Sequence, residues 1–341
     1  MGSVTKIEWT DATWNPIRGC SRVSEGCRNC YAERVAARFS GPKEPYAGLA
    51  IWKGGEPHWT GKIQFVESHL YDPLRWKQHK KIFVNSMSDP FHPGVTDDMI
   101  DSIFAVMALS DWHTHQMLTK RVKRMRTYTH SEGAIAASNI LQARVAQEAE
   151  RIAQDRGETI SAWWDAWLED WPLKNIWLGA SAEDQANYDF RRDDLENTDA
   201  AVIWWSLEPL IGPITLNLNS SKRLPDWIVI GGESGPEARP MHPKWARDIR
   251  DECRDAMVPL FFKQWGEFAP FRNERFPQVS VNLDGSRSNN LVYGSDWQIM
   301  SKVGKAKAGH LLDGREYKEF PTVKGRKPEI AKPATVGDDF C

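Results

Sequence analysis

Three cysteines near the start of the chain form its clearest chemical pattern. Cys20, Cys27 and Cys30 follow a Cys-x6-Cys-x2-Cys spacing within the 341-residue sequence, whereas the other two cysteines, Cys253 and Cys341, are isolated. Thiolates gathered on one short loop suit a soft metal ion or an iron–sulfur cluster. We therefore predict that the three clustered cysteines bind metal and that Cys253 does not.

The number of cysteines in this cluster indicates an open coordination position. A structural zinc site normally has four protein ligands, and the fourth would have to be a histidine such as His92 or a remote cysteine. The sequence has no second Cys-x2-Cys pair and no His-x3-His pair that would complete such a site. Three ligands without a fourth leave one position for a substrate or cosubstrate.

Short apolar runs that alternate with helix-like stretches predict the scaffold that positions the cysteines. Lys81–Ser86 has the pattern of a buried strand, and Thr96 caps a predicted helix over Asp97–Leu109. The other strand candidates are Thr13–Ile17, Lys62–Val66, His115–Thr119, Asn175–Ser181, Ala201–Leu207, Trp227–Gly231 and Val258–Lys263. Apolar runs without polar alternation indicate strands covered on both faces, and intervening helices indicate parallel pairing. We predict an α/β fold, a complete or partial (β/α) TIM-like barrel over residues 1–268, with an open doubly wound sheet as the alternative.

Two segments fall outside this alternation. Residues 131–171 are alanine-rich and charged, which predicts a helical insertion in the barrel with its second helix over 159–168. Residues 269–341 are rich in Asn, Gly, Ser and Lys and predict an irregular C-terminal extension. Its tail after about residue 324 is rich in Pro and Lys, and we expect it to be flexible.

Polar residues and glycines follow most of the predicted strands at their carboxyl ends. They are Ser86 and Asp89, Ser181 and Glu183, Ser206 and Glu208, Gly231, Gly232 and Glu233, and Lys263. In a (β/α) barrel these strand ends converge on one mouth, which would also hold the cysteine loop. Carboxylates and hydroxyls suit the diol and the amino group of a ligand, and a lysine suits a carboxylate or phosphate. We predict that these residues bind a cofactor, with Glu183, Glu208 and Glu233 in one polar cavity.

Composition and charge exclude several classes of protein. Lys and Arg number 44 against 46 Asp and Glu, so a net charge of −2 provides no overall basic field for nucleic acid. Five cysteines are too few for a disulfide-stapled secreted fold. No apolar run approaches the ~20 residues that span a bilayer. We expect a soluble, cytoplasmic protein without a membrane partner.

A local basic stretch keeps a second function open. Lys120–Arg126 contains five cations, and the chain has 17 tryptophans that offer aromatic surface. These features support a nucleic-acid-binding scaffold in which the cysteines hold a structural zinc ion or cluster without radical chemistry.

Sequence blocks along most of the chain resemble a known group of proteins. The three-cysteine loop after the first predicted strand resembles that of radical S-adenosylmethionine (radical SAM) enzymes. The chain as a whole resembles the phage- and mobile-element-associated three-Cys-motif proteins of unknown function, over about residues 7–320. The blocks that carry the resemblance are Thr13–Cys20, Cys27–Glu33, Phe83–Asp89 with Phe91 and His92, Leu118–Arg121, Gly179–Glu183, Ser206–Leu210, Gly231–Gly235, Phe262–Gly266 and Gly309–Arg315.

This resemblance implies an iron–sulfur enzyme. Cys20, Cys27 and Cys30 would hold a 4Fe–4S cluster whose fourth iron binds S-adenosylmethionine, and Gly231–Glu233 resembles the Gly-Gly-Glu element that holds its amino group. Reductive cleavage of S-adenosylmethionine would lead to hydrogen abstraction from an unknown, nucleic-acid-related substrate, with an electron donor such as flavodoxin or ferredoxin as partner. Three features differ from the usual radical SAM pattern, the first being that Gly231–Glu233 follows a late predicted strand and not the second one. Six rather than three residues separate the first two cysteines, and Asn29 stands where an aromatic residue is usual.

Overall fold

The computed structural model describes residues 5–129, 135–157 and 172–323. Its strands, in chain order, are β1 (Ala12–Trp14), β2 (Ile17–Arg18), β3 (Ala50–Lys53), β4 (Glu56–Trp59), β5 (Gln64–Phe65), β6 (Lys81–Val84), β7 (Thr114–Thr119), β8 (Ile176–Ser181), β9 (Val202–Leu207), β10 (Trp227–Ile230), β11 (Leu260–Phe262), β12 (Phe268–Ala269), β13 (Gln278–Asn282), β14 (Arg287–Ser288) and β15 (Trp297–Lys302). The helices are α1 (Tyr31–Arg38), α2 (Glu67–Leu70), α3 (Asp97–Leu109), α4 (Val122–Thr129), α5 (Ile135–Asp155), α6 (Gln185–Glu196), α7 (Pro243–Asp255) and α8 (Lys305–Ala308). The predicted cap is confirmed, since Thr96 accepts a hydrogen bond from the Met99 amide at the start of α3.

A seven-stranded parallel sheet forms the centre of this mixed α/β fold. Its order, β1-β6-β7-β8-β9-β10-β11, is also the order of the strands along the chain, and each neighbouring pair is parallel. In a doubly wound sheet the strand order reverses at a switch point, whereas here it does not. All these strands therefore direct their carboxyl ends to the same edge, as the sequence predicts.

The eighth predicted strand does not join the central sheet. Within Lys62–Val66 only β5 is extended, and it pairs antiparallel with β2 in a separate two-stranded sheet. Lys62 and Gln64 are exposed while Ile63 and Phe65 are half-buried. This alternation suits a strand covered on one face and not the fully covered strands of a parallel sheet.

The two faces of the central sheet bury different side chains. One face packs on the helices, so that Ile82, Leu178 and Trp205 share a hydrophobic core with Ile103 of α3 and Trp245 of α7. The other face is largely aromatic and consists of Trp9, Phe83, Trp177, Val202, Trp204, Trp227, Val229 and Phe261. A side chain at position 179 would overlap the Trp204 indole, so glycine at this position of β8 makes room for the ring.

The free edge of β11 is covered by a later segment of the chain. Phe262 donates its amide hydrogen to the Tyr317 carbonyl at 2.8 Å, and the Glu319 amide donates to the Leu260 carbonyl at 3.1 Å. Phe320 then stacks on Trp227, with ring centroids 5.1 Å apart. An edge strand with unpaired backbone groups invites pairing with another chain, and this segment occupies those groups.

The C-terminal extension is more regular than the sequence predicts. β12, β15, β13 and β14 form a four-stranded antiparallel sheet in that order. β15 pairs with both β12 and β13, and such pairing between distant segments has no local sequence signal. In the predicted insertion, α5 is helical as expected, while the helix predicted over 159–168 and the tail after 324 lie outside the described residues. No helix in the described ranges has the length and apolar character needed to cross a membrane.

Candidate functional site

The cysteine loop, residues 19–30, connects β2 to α1 at the carboxyl-end edge of the central sheet. Gly19 forms a parallel bridge with Ser88, which follows β6, and Cys30 directly precedes the first residue of α1. Cys20, Cys27 and Cys30 are all free thiols and all half-buried. The structure therefore brings the three cysteines onto one loop between a strand and a helix, as predicted.

Side chains from the ends of three central strands bind backbone and side-chain groups of this loop. After β7, the Arg121 guanidinium donates to the Ser21 carbonyl at 3.1 Å and to its hydroxyl at 2.8 Å. After β8, a Glu183 oxygen accepts the Gly26 amide at 2.9 Å. After β10, Glu233 accepts a hydrogen bond from the Asn29 amide group at 3.1 Å. The loop is thus held across the strand ends.

Glu183 is the most deeply buried of the three side chains that bind the loop. Its oxygen lies 2.6 Å from Nζ of Lys120 and 3.4 Å from the Arg191 guanidinium. Burial alone would raise the pKa of this carboxyl, but the Lys120 charge and the hydrogen bonds it receives lower the pKa to about 2. A Cβ at Gly26 would lie 2.9 Å from the Glu183 carboxyl carbon, so only glycine lets the loop approach this ion pair.

Glu233 is held by a cation that the sequence analysis did not single out. Arg239 donates to Glu233 through its backbone amide at 2.8 Å, through Nε at 2.8 Å and through Nη2 at 2.6 Å. The same guanidinium donates to the Glu25 carbonyl of the cysteine loop at 3.1 Å. Arg239 lies in an irregular turn without a periodic pattern. A buried carboxylate at the end of β10 was the one signal that a cation would be needed nearby.

Asp89 and His92 connect the end of β6 to the loop through Arg121 and Ser21. Asp89 accepts hydrogen bonds from the Thr119 hydroxyl at 2.6 Å and from Arg121 at 2.7 Å. Nδ1 of His92 accepts the Gly94 amide at 3.0 Å, and its Nε2 lies 2.9 Å from the Ser21 hydroxyl. Because Nδ1 is an acceptor, Nε2 is the nitrogen that donates. Both ring nitrogens of His92 are therefore engaged, and Asp89 holds Arg121 in place.

A second ion pair lies at the ends of β9 and β11. Nζ of Lys263 is 2.9 Å from a Glu208 oxygen and 4.0 Å from Glu8 of the N-terminal segment. A Cβ at Gly231 would come within 2.9 Å of the same Glu208 oxygen, so glycine here leaves room for the carboxylate. A Cβ at Gly232 would overlap the Trp265 carbonyl. These two glycines thus serve close packing at the strand end.

The predicted serines differ in accessibility. Ser181 and Ser206 are buried within β8 and β9, and the Ser181 hydroxyl donates to the Glu208 carbonyl at 3.4 Å. Ser86 is half-buried after β6, donates to the Asn15 side chain at 3.1 Å, and accepts the Tyr31 hydroxyl on its carbonyl at 2.7 Å. Of the three serines, Ser86 is the one open to a ligand.

Burial and nearby charges shift the pKa values of two thiols of the cysteine loop. Burial raises the pKa of Cys20 to about 12, and the nearby Asp89, Cys30 and Cys27 contribute to the rise. Burial also raises the pKa of Cys30 to about 11, although backbone amides at the start of α1 oppose the rise. Each thiol therefore lies near enough to the others for their charges to interact.

Among the described residues, no group of three or more His, Cys, Asp or Glu side chains is arranged to hold a single metal ion. Ligands of one zinc ion lie within about 4.6 Å of each other, because each is about 2.3 Å from the metal. Cys20, Cys27 and Cys30 are free thiols and do not meet this arrangement in the described structure.

The basic stretch Lys120–Arg126, whose cations could bind phosphates, is largely neutralised by carboxylates of the protein itself. Four of its five cations form ion pairs: Lys120 with Glu183, Arg121 with Asp89, Arg124 with Asp97, and Arg126 with Asp194. These cations hold strand ends and helices together, so they are not available as a surface for phosphates.

Comparison with known proteins identifies a family and no characterised relative. No curated protein and no solved structure matches the chain. One family model matches residues 4–321, and its description is "Protein of unknown function (DUF5131)". The match covers the central sheet, the cysteine loop and the C-terminal sheet, and the chain belongs to this family of unknown function.

Proposed function

We propose that Cys20, Cys27 and Cys30 bind a 4Fe–4S cluster and that the protein is a radical SAM-type enzyme on a partial (β/α) barrel. The observation that carries this proposal is the position of the cysteine loop, which strand-end side chains hold over the carboxyl edge of a parallel sheet. In (β/α) barrels this is the edge that carries the active site. The resemblance to phage- and mobile-element-associated three-Cys-motif proteins supports the same assignment.

Under this proposal the strand-end residues divide into two groups. Glu183 and Glu233 position the loop, because their oxygens already bind Gly26, Asn29 and neighbouring cations. Glu208 and Lys263 pair with each other and touch no loop residue within hydrogen-bond distance in the described structure. They are the side chains we assign to S-adenosylmethionine, Lys263 for its carboxylate and Glu208 for a hydroxyl or amino group.

The chain's own contribution is binding, orientation and exclusion of water. With an electron from a donor such as flavodoxin or ferredoxin, the bound cluster would supply the reductive cleavage of S-adenosylmethionine that starts hydrogen abstraction from the substrate. The aromatic face of the central sheet, with Trp204 and Trp227 almost fully buried, keeps water from reaching the strand ends through the sheet.

Anaerobic reconstitution followed by iron and sulfide analysis tests the assignment. We expect about four irons and about four sulfides per chain, the content of one 4Fe–4S cluster. Cys20→Ala, Cys27→Ala and Cys30→Ala should each lower the iron content sharply. Cys253→Ala is the matched control, because Cys253 is a buried thiol on α7 away from the loop, and it should keep its iron.

Two other results would contradict the proposal. One zinc ion per chain without sulfide would favour the alternative, a zinc-stabilised nucleic-acid-binding protein. Iron that depends on Cys253 and not on Cys20 would place the metal elsewhere. If the cluster forms, S-adenosylmethionine at a hundredfold excess over its Kd should stabilise the loaded protein by about 2.7 kcal/mol, and this gain should be lost in Cys27→Ala.

A further inference from the structure

A row of aromatic and basic side chains runs along α1, from the cysteine loop to the hairpin of β3 and β4. Tyr31, Arg34 and Arg38 occupy positions i, i+3 and i+7 of the helix, so they share one face. The side chain of Trp52 joins the far end of this row, where its Nε1 donates to the Ala37 carbonyl at 3.0 Å. We call the surface formed by Arg28, Tyr31, Arg34, Arg38 and Trp52 the α1 stripe.

The aromatic rings of the α1 stripe are open to solvent. Tyr31 is 53% exposed and Trp52 is 52% exposed, and the adjacent Phe39 is 43% exposed. The tryptophans of the central sheet, by contrast, are almost completely buried. Exposed apolar groups that gather in one place usually mark a binding surface. The rings of this surface are therefore available to stack on a ligand.

The cations of the α1 stripe carry unneutralised charge. Residues 28–53 contain five cations and two carboxylates, in a chain whose net charge is −2. One of those carboxylates, Glu33, is buried and pairs with Arg22 at 2.8 Å. Within the described residues, no ion pair involves Arg28, Arg34 or Arg38. The stretch 28–53 therefore carries a net positive charge in a chain whose net charge is −2.

We propose that the α1 stripe binds single-stranded nucleic acid. Its cations would neutralise phosphates, and its exposed rings would stack on unpaired bases, a combination that suits single strands without sequence preference. An acidic protein would also complement the positive charge of the stripe. Protein interfaces, however, usually gather their apolar residues in a core with a charged rim, whereas here Arg34 and Arg38 separate the exposed rings of Tyr31 and Trp52.

The α1 stripe begins at the candidate site. The hydroxyl of Tyr31 donates to the Ser86 carbonyl at the end of β6, and Arg28 lies between Cys27 and Cys30 in the loop. A strand bound along the stripe therefore reaches the strand-end residues. Delivery of a nucleotide to that site rests on the proposed function, but the binding itself does not.

Fluorescence anisotropy of a labelled single-stranded oligonucleotide, titrated with the full chain at low salt, tests the proposal. Trp52→Ala should weaken binding about tenfold, because a stacked base contributes on this order. Arg38→Gln should also weaken binding and reduce the slope of log K against log salt by about 0.7, the value for one lost phosphate contact. A duplex of the same sequence should bind more weakly, since its bases are not free to stack.

Two matched controls separate a specific surface from a general loss. Phe190→Ala removes a ring that is 78% exposed on α6. Arg275→Gln removes an exposed cation that, like those of the stripe, has no ion pair in the described structure. Both lie outside the stripe and should leave binding unchanged. The titration uses the full chain before iron reconstitution, so a failed cluster assignment does not affect this test. Absence of single-strand binding, or equal effects of Trp52→Ala and Phe190→Ala, would overturn the proposal. So would a Trp52→Ala variant that binds nucleic acid normally but loses affinity for an acidic flavodoxin.

Discussion

The chain has two arginine-rich regions that look alike in sequence and differ in their partners. In Lys120–Arg126, four of five cations form ion pairs with carboxylates of the same chain. In the α1 stripe, none of the three cations does so within the described structure. The first region holds the strand ends and the cysteine loop together, and the second leaves its charge at the surface.

This difference shows why a basic stretch in a sequence does not by itself predict a nucleic-acid site. A cation that pairs with a buried carboxylate exchanges its bound water for that partner, and its charge is neutralised locally. Which cations do so depends on carboxylates that are distant in the chain, such as Glu183 for Lys120. Exposure and pairing together, and not composition, separate the two regions.

The largest expected effect is on stability and comes from Lys120→Met. This change removes the nearest cation of the buried Glu183 carboxylate and leaves Arg191 at 3.4 Å as a cation partner. Breaking a buried pair by removing one partner costs about 3 kcal/mol or more, and urea unfolding would measure the loss. Lys53→Met is the same chemical change at an unpaired, exposed position and should alter stability by less than about 0.5 kcal/mol. Equal losses in the two variants would remove the distinction between paired and unpaired cations.

A dependence on pH should accompany this ion pair. The pKa of Glu183 is lowered to about 2 in the folded chain, against 4.5 for a free glutamate. The stabilisation is therefore complete above about pH 4.5 and is lost as the pH falls towards 2. A shift of this size corresponds to on the order of 3 kcal/mol. The stability difference between the wild type and Glu183→Gln should shrink over this range, and a difference that is constant with pH would contradict the assignment.

A smaller effect is expected where the paired region reaches the surface. Arg126 lies 3.1 Å from Asp194, and both side chains are partly exposed. Arg126→Gln should therefore lower the free energy of unfolding by less than about 1 kcal/mol. Arg38→Gln in the α1 stripe should change stability by only a few tenths of a kcal/mol, while it weakens binding of the oligonucleotide. If Arg126→Gln weakened oligonucleotide binding as much as Arg38→Gln does, the paired and unpaired cations would not differ and the comparison would fail.

The central sheet could be predicted from sequence because its signals are local. Runs such as Ile176–Ser181 lack polar alternation, and Thr96 is a cap at the start of an apolar helix. The cysteine loop was equally visible as a cluster of three thiols. The same local evidence placed the polar side chains at strand ends, since parallel strands point one way.

What the sequence did not predict depends on partners that are far apart in the chain. Arg239 binds Glu233 from an irregular turn, and Asn29 reaches the same carboxylate across more than two hundred residues. Glu183 and Glu233 were expected to line a cavity for a cofactor, yet their oxygens bind the loop. Residue types alone cannot tell a carboxylate that binds a ligand from one that binds the chain.

The segment that covers the edge of β11 has a consequence for biosynthesis. Trp9 and Phe320 both pack on Trp227, with ring centroids 6.1 and 5.1 Å away. The ribosome releases Trp9 more than three hundred residues before Phe320, so the aromatic face stays open on the nascent chain over that interval. Contacts between such distant residues form slowly, and exposed apolar surface promotes aggregation in the meantime. The order of synthesis thus leaves this apolar face exposed until the segment around Phe320 has left the ribosome.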